Sequence, residues 1–301
     1  TSFSRTNRER MGNRMWQKTK EKLFSGIFLL AALASIGAVL LICVFLFANG
    51  IPAFSKIGWF DFLLGKNWAP QDVPASYGVL PMILGSLYVT GGAILIGVPI
   101  GIFTAVFLAR FCPKTLYRFL KPAVDLLAGI PSIIYGFFGL TVVVPLIRNW
   151  FGGTGTSILA ASVLLGLMIL PTIISISESS IRAVDPSYYE GALALGATHE
   201  RAVFSAQLTA AKSGVFASVI LGIGRALGET MAVIMVAGNQ ARMPAGLLKG
   251  LRTLTSNIVL EMSYAADLHR EALIATGVVL FVFILVINIA FSLVKRRSKR
   301  T

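Results

Sequence analysis

Six apolar stretches govern what this chain can fold into, because each is long enough to cross a bilayer as a helix. They are Leu23–Ala48, Leu80–Ala109, Pro122–Ile147, Ser157–Ser177, Gly214–Gly238 and Ala272–Val294. A hydrocarbon core of about 30 Å is spanned by about 20 helical residues. Within lipid, a segment must satisfy its own backbone polar groups, which favours helices. Only Asp125, Arg225 and Glu229 place a charge inside any stretch. The first stretch is longer than the apolar core of a signal peptide and reads as a true anchor. The expected fold is therefore all-α, a polytopic membrane protein with six transmembrane helices.

Composition agrees. Charged residues make up 13% of the 301, against about 25% in soluble domains. The net charge of +14 does not point to nucleic acid, because the basic residues cluster between the apolar stretches rather than along one polar face. Their placement sets an orientation instead. Nineteen lie in the segments before span one, between spans two and three, between four and five, and after six; seven lie on the other side. The positive-inside rule then puts both termini in the cytoplasm. The expected organisation is a basic cytoplasmic segment at 1–22, a transmembrane domain at 23–294 with a cytoplasmic connection at 178–213, and a basic cytoplasmic tail at 295–301. The outside segment 50–79 carries Trp59, Phe60, Phe62 and Trp68, which suit the membrane–water interface.

Catalytic signatures are missing from the sequence. It has no G-x-x-x-x-G-K-S/T phosphate loop, no H-E-x-x-H and no G-x-S-x-G. Neither His199 nor His269 has a nearby cysteine or histidine to complete a metal site, and Cys43 and Cys112 lie far apart. Gly222, Gly224 and Gly228 fall inside an apolar stretch, where small residues let helices approach closely. No catalytic residue, metal or cofactor of this chain's own is expected.

Two features carry functional information. In the inside connection, Asp185-Pro186 reads as a helix start, with aspartate as N-cap and proline at the first helical position. Ser187 and Glu190 also fit a capping box. This helix should stop near Gly196, and a second should run from about Thr198 to Lys212. The pair has too few basic residues for a helix resting on lipid, so it reads as a docking surface for a cytoplasmic partner. The second feature is Arg225 with Glu229 at i+4 in the fifth span. That spacing places both on one helix face, where they can pair. A charge near mid-membrane usually faces a bundle interior and serves function. Arginine matches the geometry of a phosphate or carboxylate.

At these residues a family resemblance enters. Glu190-Gly191-Ala192-Leu193-Ala194-Leu195-Gly196 resembles the E-A-A-x-x-x-G signature of ABC importer permeases, with Gly191 in place of the first alanine. Downstream, where the family has I-x-L-P, only Leu208 of Ala206-Gln207-Leu208-Thr209 fits. Gly224-Arg225-Ala226-Leu227-Gly228-Glu229-Thr230-Met231-Ala232-Val233 and Ile130-Pro131-Ser132-Ile133-Ile134-Tyr135-Gly136 are similar to segments of the phosphate-specific permeases, C-type subunit. The resemblance implies a permease in a bacterial cytoplasmic membrane. It would pair with an A-type permease as a heterodimer and work with a dimeric cytoplasmic ATPase holding ATP and magnesium. An extracytoplasmic phosphate-binding protein would complete the system. It further implies that Glu190, Gly191, Ala192 and Gly196 couple to the ATPase, and that Arg225 and Glu229 line the solute pathway. Rival readings are a permease for another oxyanion (molybdate, sulfate or phosphonate), an ATPase-independent secondary transporter, and a membrane sensor that moves nothing.

Overall fold

The computed structural model describes the backbone of residues 2–298; the basic side chains of the two terminal segments, 1–22 and 295–301, lie outside the described residues. The chain divides into two units at Asn49–Gly50. The first is the greater part of one long helix, α1 (Ser2–Ile57), free of charge and apolar on all sides from Phe24 to Ala48. A helix without a polar face in this stretch suits lipid on every side.

The second unit starts with the end of α1 and the short α2 (Trp59–Leu64). A two-residue antiparallel ribbon follows, β1 (Trp68–Ala69) with β2 (Ser76–Tyr77), in which Trp68 faces Tyr77. Then come α3 (Leu80–Val106), extended by a wide π turn over Phe107–Phe111, α4 (Lys114–Gly129), α5 (Ser132–Phe138) and, after a second π turn, α6 (Val144–Phe151). The central helix is α7 (Ile158–Arg182). It leads to α8 (Pro186–Ala194), the single turn α9 (His199–Arg201), a third π turn, α10 (Leu208–Gly228), α11 (Met231–Val236), α12 (Leu254–Glu261) and α13 (Asp267–Ser298).

Among the described residues, five helices are long and apolar enough to cross a membrane: Phe24–Ile57, Leu80–Phe111, Ser132–Phe151, Ile158–Arg182 and Asp267–Leu293. A sixth is added if the pair His199–Ala210 and Lys212–Gly228, bent by 70°, counts as one span. The all-helical, multi-span architecture is thus as the apolar stretches require, but two stretches are divided internally. Pro122–Ile147 is cut where α4 ends at Gly129, because Ile130 and Pro131 are extended before α5 begins. A residue before proline avoids the helical region, which explains the break at the Ile-Pro step. Gly214–Gly238 is cut at Glu229, which is extended.

α7 is the most buried of the spans, and Leu164, Leu165, Met168, Ile169 and Ile173 are almost wholly enclosed. Lipid gives little hydrophobic drive between helices, so association depends on close packing. A Cβ on Gly97 of α3 would meet Gly166 O and the Ile169 side chain of α7 at 2.8 Å. On the other flank, Ser177 Oγ and Ser218 Oγ are 2.7 Å apart between α7 and α10. Of the three glycines expected to allow close approach, Gly222 faces Ile173, whereas Gly224 and Gly228 face open space.

Candidate functional site: a docking helix and a broken span

The docking element forms as its sequence dictates. Asp185 Oδ1 accepts from the Ser187 backbone N–H at 2.8 Å, and Pro186 takes the first helical position of α8. Hydrogen bonds from Ser187 to the Asp185 carboxyl, side chain first and backbone next, hold it below its usual range. The cap is thus Asp185, and Ser187 supplies its partner N–H rather than a capping side chain. The helix ends in a double closure. Ala197 N–H donates to Ala192 O at 3.1 Å, and Gly196 N–H donates to Leu193 O at 2.9 Å. This is a Schellman motif, and Gly196 adopts the φ of +84° that it needs.

Glu190, Gly191 and Gly196 are exposed and Ala192 is half-buried. Leu195 is 91% exposed at the tip, beside exposed Leu193 and Tyr188. The second helix starts at the expected place, with Thr198 Oγ1 accepting from Arg201 N–H at 3.4 Å. Close to its expected end at Lys212 the path bends by 70° but remains helical. Through α9, the π turn and α10 it runs on into the span, so the docking element and the fifth span share one bent helical path.

The expected pairing of Arg225 with Glu229 is not seen. α10 ends at Gly228, so Glu229 is not one turn further along the same helix. Arg225 Nη1 donates to Thr172 Oγ1 on α7 at 3.3 Å. Glu229 turns the other way: from the position before the N-cap Thr230, its Oε1 accepts from Ala232 N–H at 3.1 Å in the first turn of α11. Its carbonyl accepts from Thr255 Oγ1 at 3.2 Å. Glu229 also lines a small hydroxyl-rich recess with Ser86, Thr90, Thr253 and Thr255. The i+4 spacing misled because it assumed helix continuity through a segment whose cap residue is the glutamate itself.

The sequence leaves Asp125 open as a ligand, a helix-pairing group or a start-of-helix charge. It lies well inside α4, 2.9 Å from Lys121 Nζ, and its Oδ1 accepts from Ser175 Oγ of α7 at 3.2 Å. It therefore ties two helices together.

A third polar cluster gave no signal in the sequence. Glu261, 6% exposed, pairs with Arg252 and with His269 Nε2 at 2.9 Å, and accepts from Trp68 Nε1 at 2.8 Å. Arg252 also donates to Asn257 Oδ1 at 2.9 Å and Asn239 O at 3.1 Å. The carboxylate gathers the ribbon, the 239–253 loop, α12 and the start of α13. No spacing rule joins residues this far apart in sequence.

A multi-span helical bundle, a capped helix α8 with an exposed apolar tip, and a span broken at a charged residue together fit a membrane permease subunit. The chain belongs to the family of binding-protein-dependent transport system inner membrane components, whose model matches residues 97–300. It is a multi-pass inner-membrane protein, and its relatives are transport subunits rather than enzymes. It is 40% identical to the probable ABC transporter permease protein YqgH of Bacillus subtilis, over 85% of this chain and 86% of the relative. It is 37% identical to the phosphate transport system permease protein PstC of Mesorhizobium japonicum, covering 86% and 85%. With PstC of Haemophilus influenzae it shares 33%, over 96% of each. The fold resembles a chain of the inward-facing MetNI methionine ABC transporter, with a TM-score of 0.60 at 21% identity over 73% of this chain and 95% of that one. It also resembles a chain of a bacterial alginate ABC transporter in complex with its periplasmic protein, with a TM-score of 0.62 at 18% identity over 91% and 96%.

Proposed function

We propose that this chain is one permease half of an ATP-driven importer of inorganic phosphate, the C-type subunit beside an A-type partner. The observation that carries the reading is the segment Gly224–Val233. It resembles a segment of the phosphate-specific permeases, and it folds as a helix end, a break and a new helix, with Arg225 in the last turn before the break and Glu229 in the break itself. Several relatives that match most of the chain are phosphate transport permeases, which supports the same substrate.

In this reading both termini are cytoplasmic. The tip of α8, with Glu190, Gly191, Ala192 and Gly196, seats in a dimeric ATPase that holds ATP and magnesium. A phosphate-binding protein delivers the anion from outside. Moving an anion through a low-dielectric bundle is costly unless fixed donors and a positive charge replace its water. Arg225 supplies that charge. It stays protonated, and its planar fork can hold two oxygens. Closure of the ATPase dimer would displace α8 and, through the shared bent path, move the fifth span.

The test is uptake of labelled phosphate into proteoliposomes holding this chain with its candidate partners. The expected result is ATP-dependent uptake that excess molybdate, sulfate or phosphonate does not inhibit. Inhibition by one of those anions would reassign the substrate, and uptake without the ATPase would make the chain a secondary transporter.

A further inference from the structure

Glu178 lies one turn before the end of α7 and is 2% exposed, yet neither the docking tip nor the broken span uses it. Its Oε1 accepts from Tyr117 OH at 2.7 Å and from Arg182 Nε at 2.8 Å. Its Oε2 lies 3.4 Å from Lys121 Nζ. Tyr117 and Lys121 share one face of α4 at i, i+4, so a single buried carboxylate fixes α4 against α7. Burying a carboxylate is costly unless it is paired, and here two hydrogen bonds to Oε1 and the Lys121 ammonium beside Oε2 compensate it.

The same cluster reaches α3. Arg182 Nη2 donates to Leu108 O at 2.7 Å, and its guanidinium lies 4.6 Å from the centre of the Tyr117 ring. Leu108 O is available because the π turn sends Cys112 N–H to Phe107 O instead, at 2.8 Å. Only Ala183 and Val184 separate Arg182 from the Asp185 cap of α8, and both are held in a turn, Ala183 N–H to Ser179 O at 3.0 Å and Val184 N–H to Ile181 O at 3.4 Å. This link has no slack. A second route also runs from α8 to the end of α3. Tyr189 OH lies 2.7 Å from His199 Nδ1, and the Arg110 guanidinium sits 5.8 Å from the centre of the Tyr189 ring.

We propose that Glu178 is a positioning residue that passes displacement of α8 to α3 and α4, with Tyr117 and Arg182 as its two outputs. The inference rests on α8 meeting the ATPase. Chains of packed side chains and charged hydrogen-bond networks with discrete arrangements carry such transfer. Loosening the cluster should leave the parts assembled but poorly linked.

The test uses the assembled complex of permeases, ATPase and phosphate-loaded binding protein in proteoliposomes. Three quantities are read: ATPase co-purification, hydrolysis without binding protein, and phosphate taken up per ATP hydrolysed. Tyr117→Phe removes one hydroxyl and no charge. It should lower uptake per ATP by about three- to tenfold with co-purification and basal hydrolysis unchanged. Glu178→Gln should lower it further. A wild-type ratio in Tyr117→Phe overturns the proposal, even if Glu178→Gln fails to assemble, because the buried charge alone would then serve folding. Gly196→Pro, run alongside, tests the docking reading separately. If that variant keeps wild-type uptake, α8 is not the coupling element; if it alone loses uptake, docking stands and Glu178 is only a brace.

Discussion

At the residue scale, Arg225 and Glu229 have separate tasks. Arg225 donates a side-chain hydrogen bond to Thr172 Oγ1 at 3.3 Å, and in the proposed function its guanidinium also meets the anion. Arg225→Gln should abolish phosphate uptake while partner subunits still co-purify. Arg225→Lys should restore little, since the charge returns without the fork. Near-normal uptake by Arg225→Gln would remove it from the pathway. Glu229 supports structure at the break. Glu229→Ala removes the acceptor for Ala232 N–H and should cost about 1 kcal/mol of local stability, whereas Glu229→Gln keeps an acceptor and should cost less. Thermal unfolding of the detergent-solubilised complex compares the two; equal stability of Ala and Gln variants would deny that role. The residue types were readable in sequence, but their partners were not, because both partners come from other elements or from a backbone break.

At the scale of elements, α8 shows local signals at their strongest. Asp185, Pro186 and Gly196 each act within a few residues along the chain, so cap, first turn and stop all appear where the sequence places them. Gly196→Ala forces an L residue into the left-handed region and should cost about 1 kcal/mol. Gly196→Pro also fixes φ at the wrong sign and deletes the N–H that closes on Leu193 O. The expected outcome is partial loss of ATP-driven uptake for the alanine and complete loss for the proline, with phosphate binding by the binding protein intact. Co-purification of the ATPase checks that the fault lies in docking. The fifth span is the opposite case. Its apolar content promised one helix, and the structure gives a bent path, a break and a short second helix.

For the whole molecule, the remaining expectation is orientation. With Cys43 and Cys112 replaced by serine, Lys66→Cys should react with a membrane-impermeant maleimide in intact cells. Leu195→Cys, at the exposed tip of α8, should react only after permeabilisation. Labelling of Leu195→Cys in intact cells would invert the topology and take α8 away from any cytoplasmic ATPase. The polar clusters sharpen this picture. The Glu261 cluster joins the ribbon to the start of α13, and the Glu178 cluster joins the end of α7 to α3 and α4. Each is a buried carboxylate with donors from several elements.

The sequence by itself determined the class of fold, because apolar length and the need to satisfy backbone groups in lipid leave helices as the solution. It also determined α8, whose cap, first turn and stop are set by local signals. Tertiary structure alone decided that the fifth span breaks at Glu229, that Arg225 turns to Thr172 while Glu229 holds the first turn of α11, and that Glu178 and Glu261 gather distant donors. The physical reason is range. Caps and periodicity act over a few residues, whereas a buried charge takes its partners from whatever elements the packed bundle brings beside it.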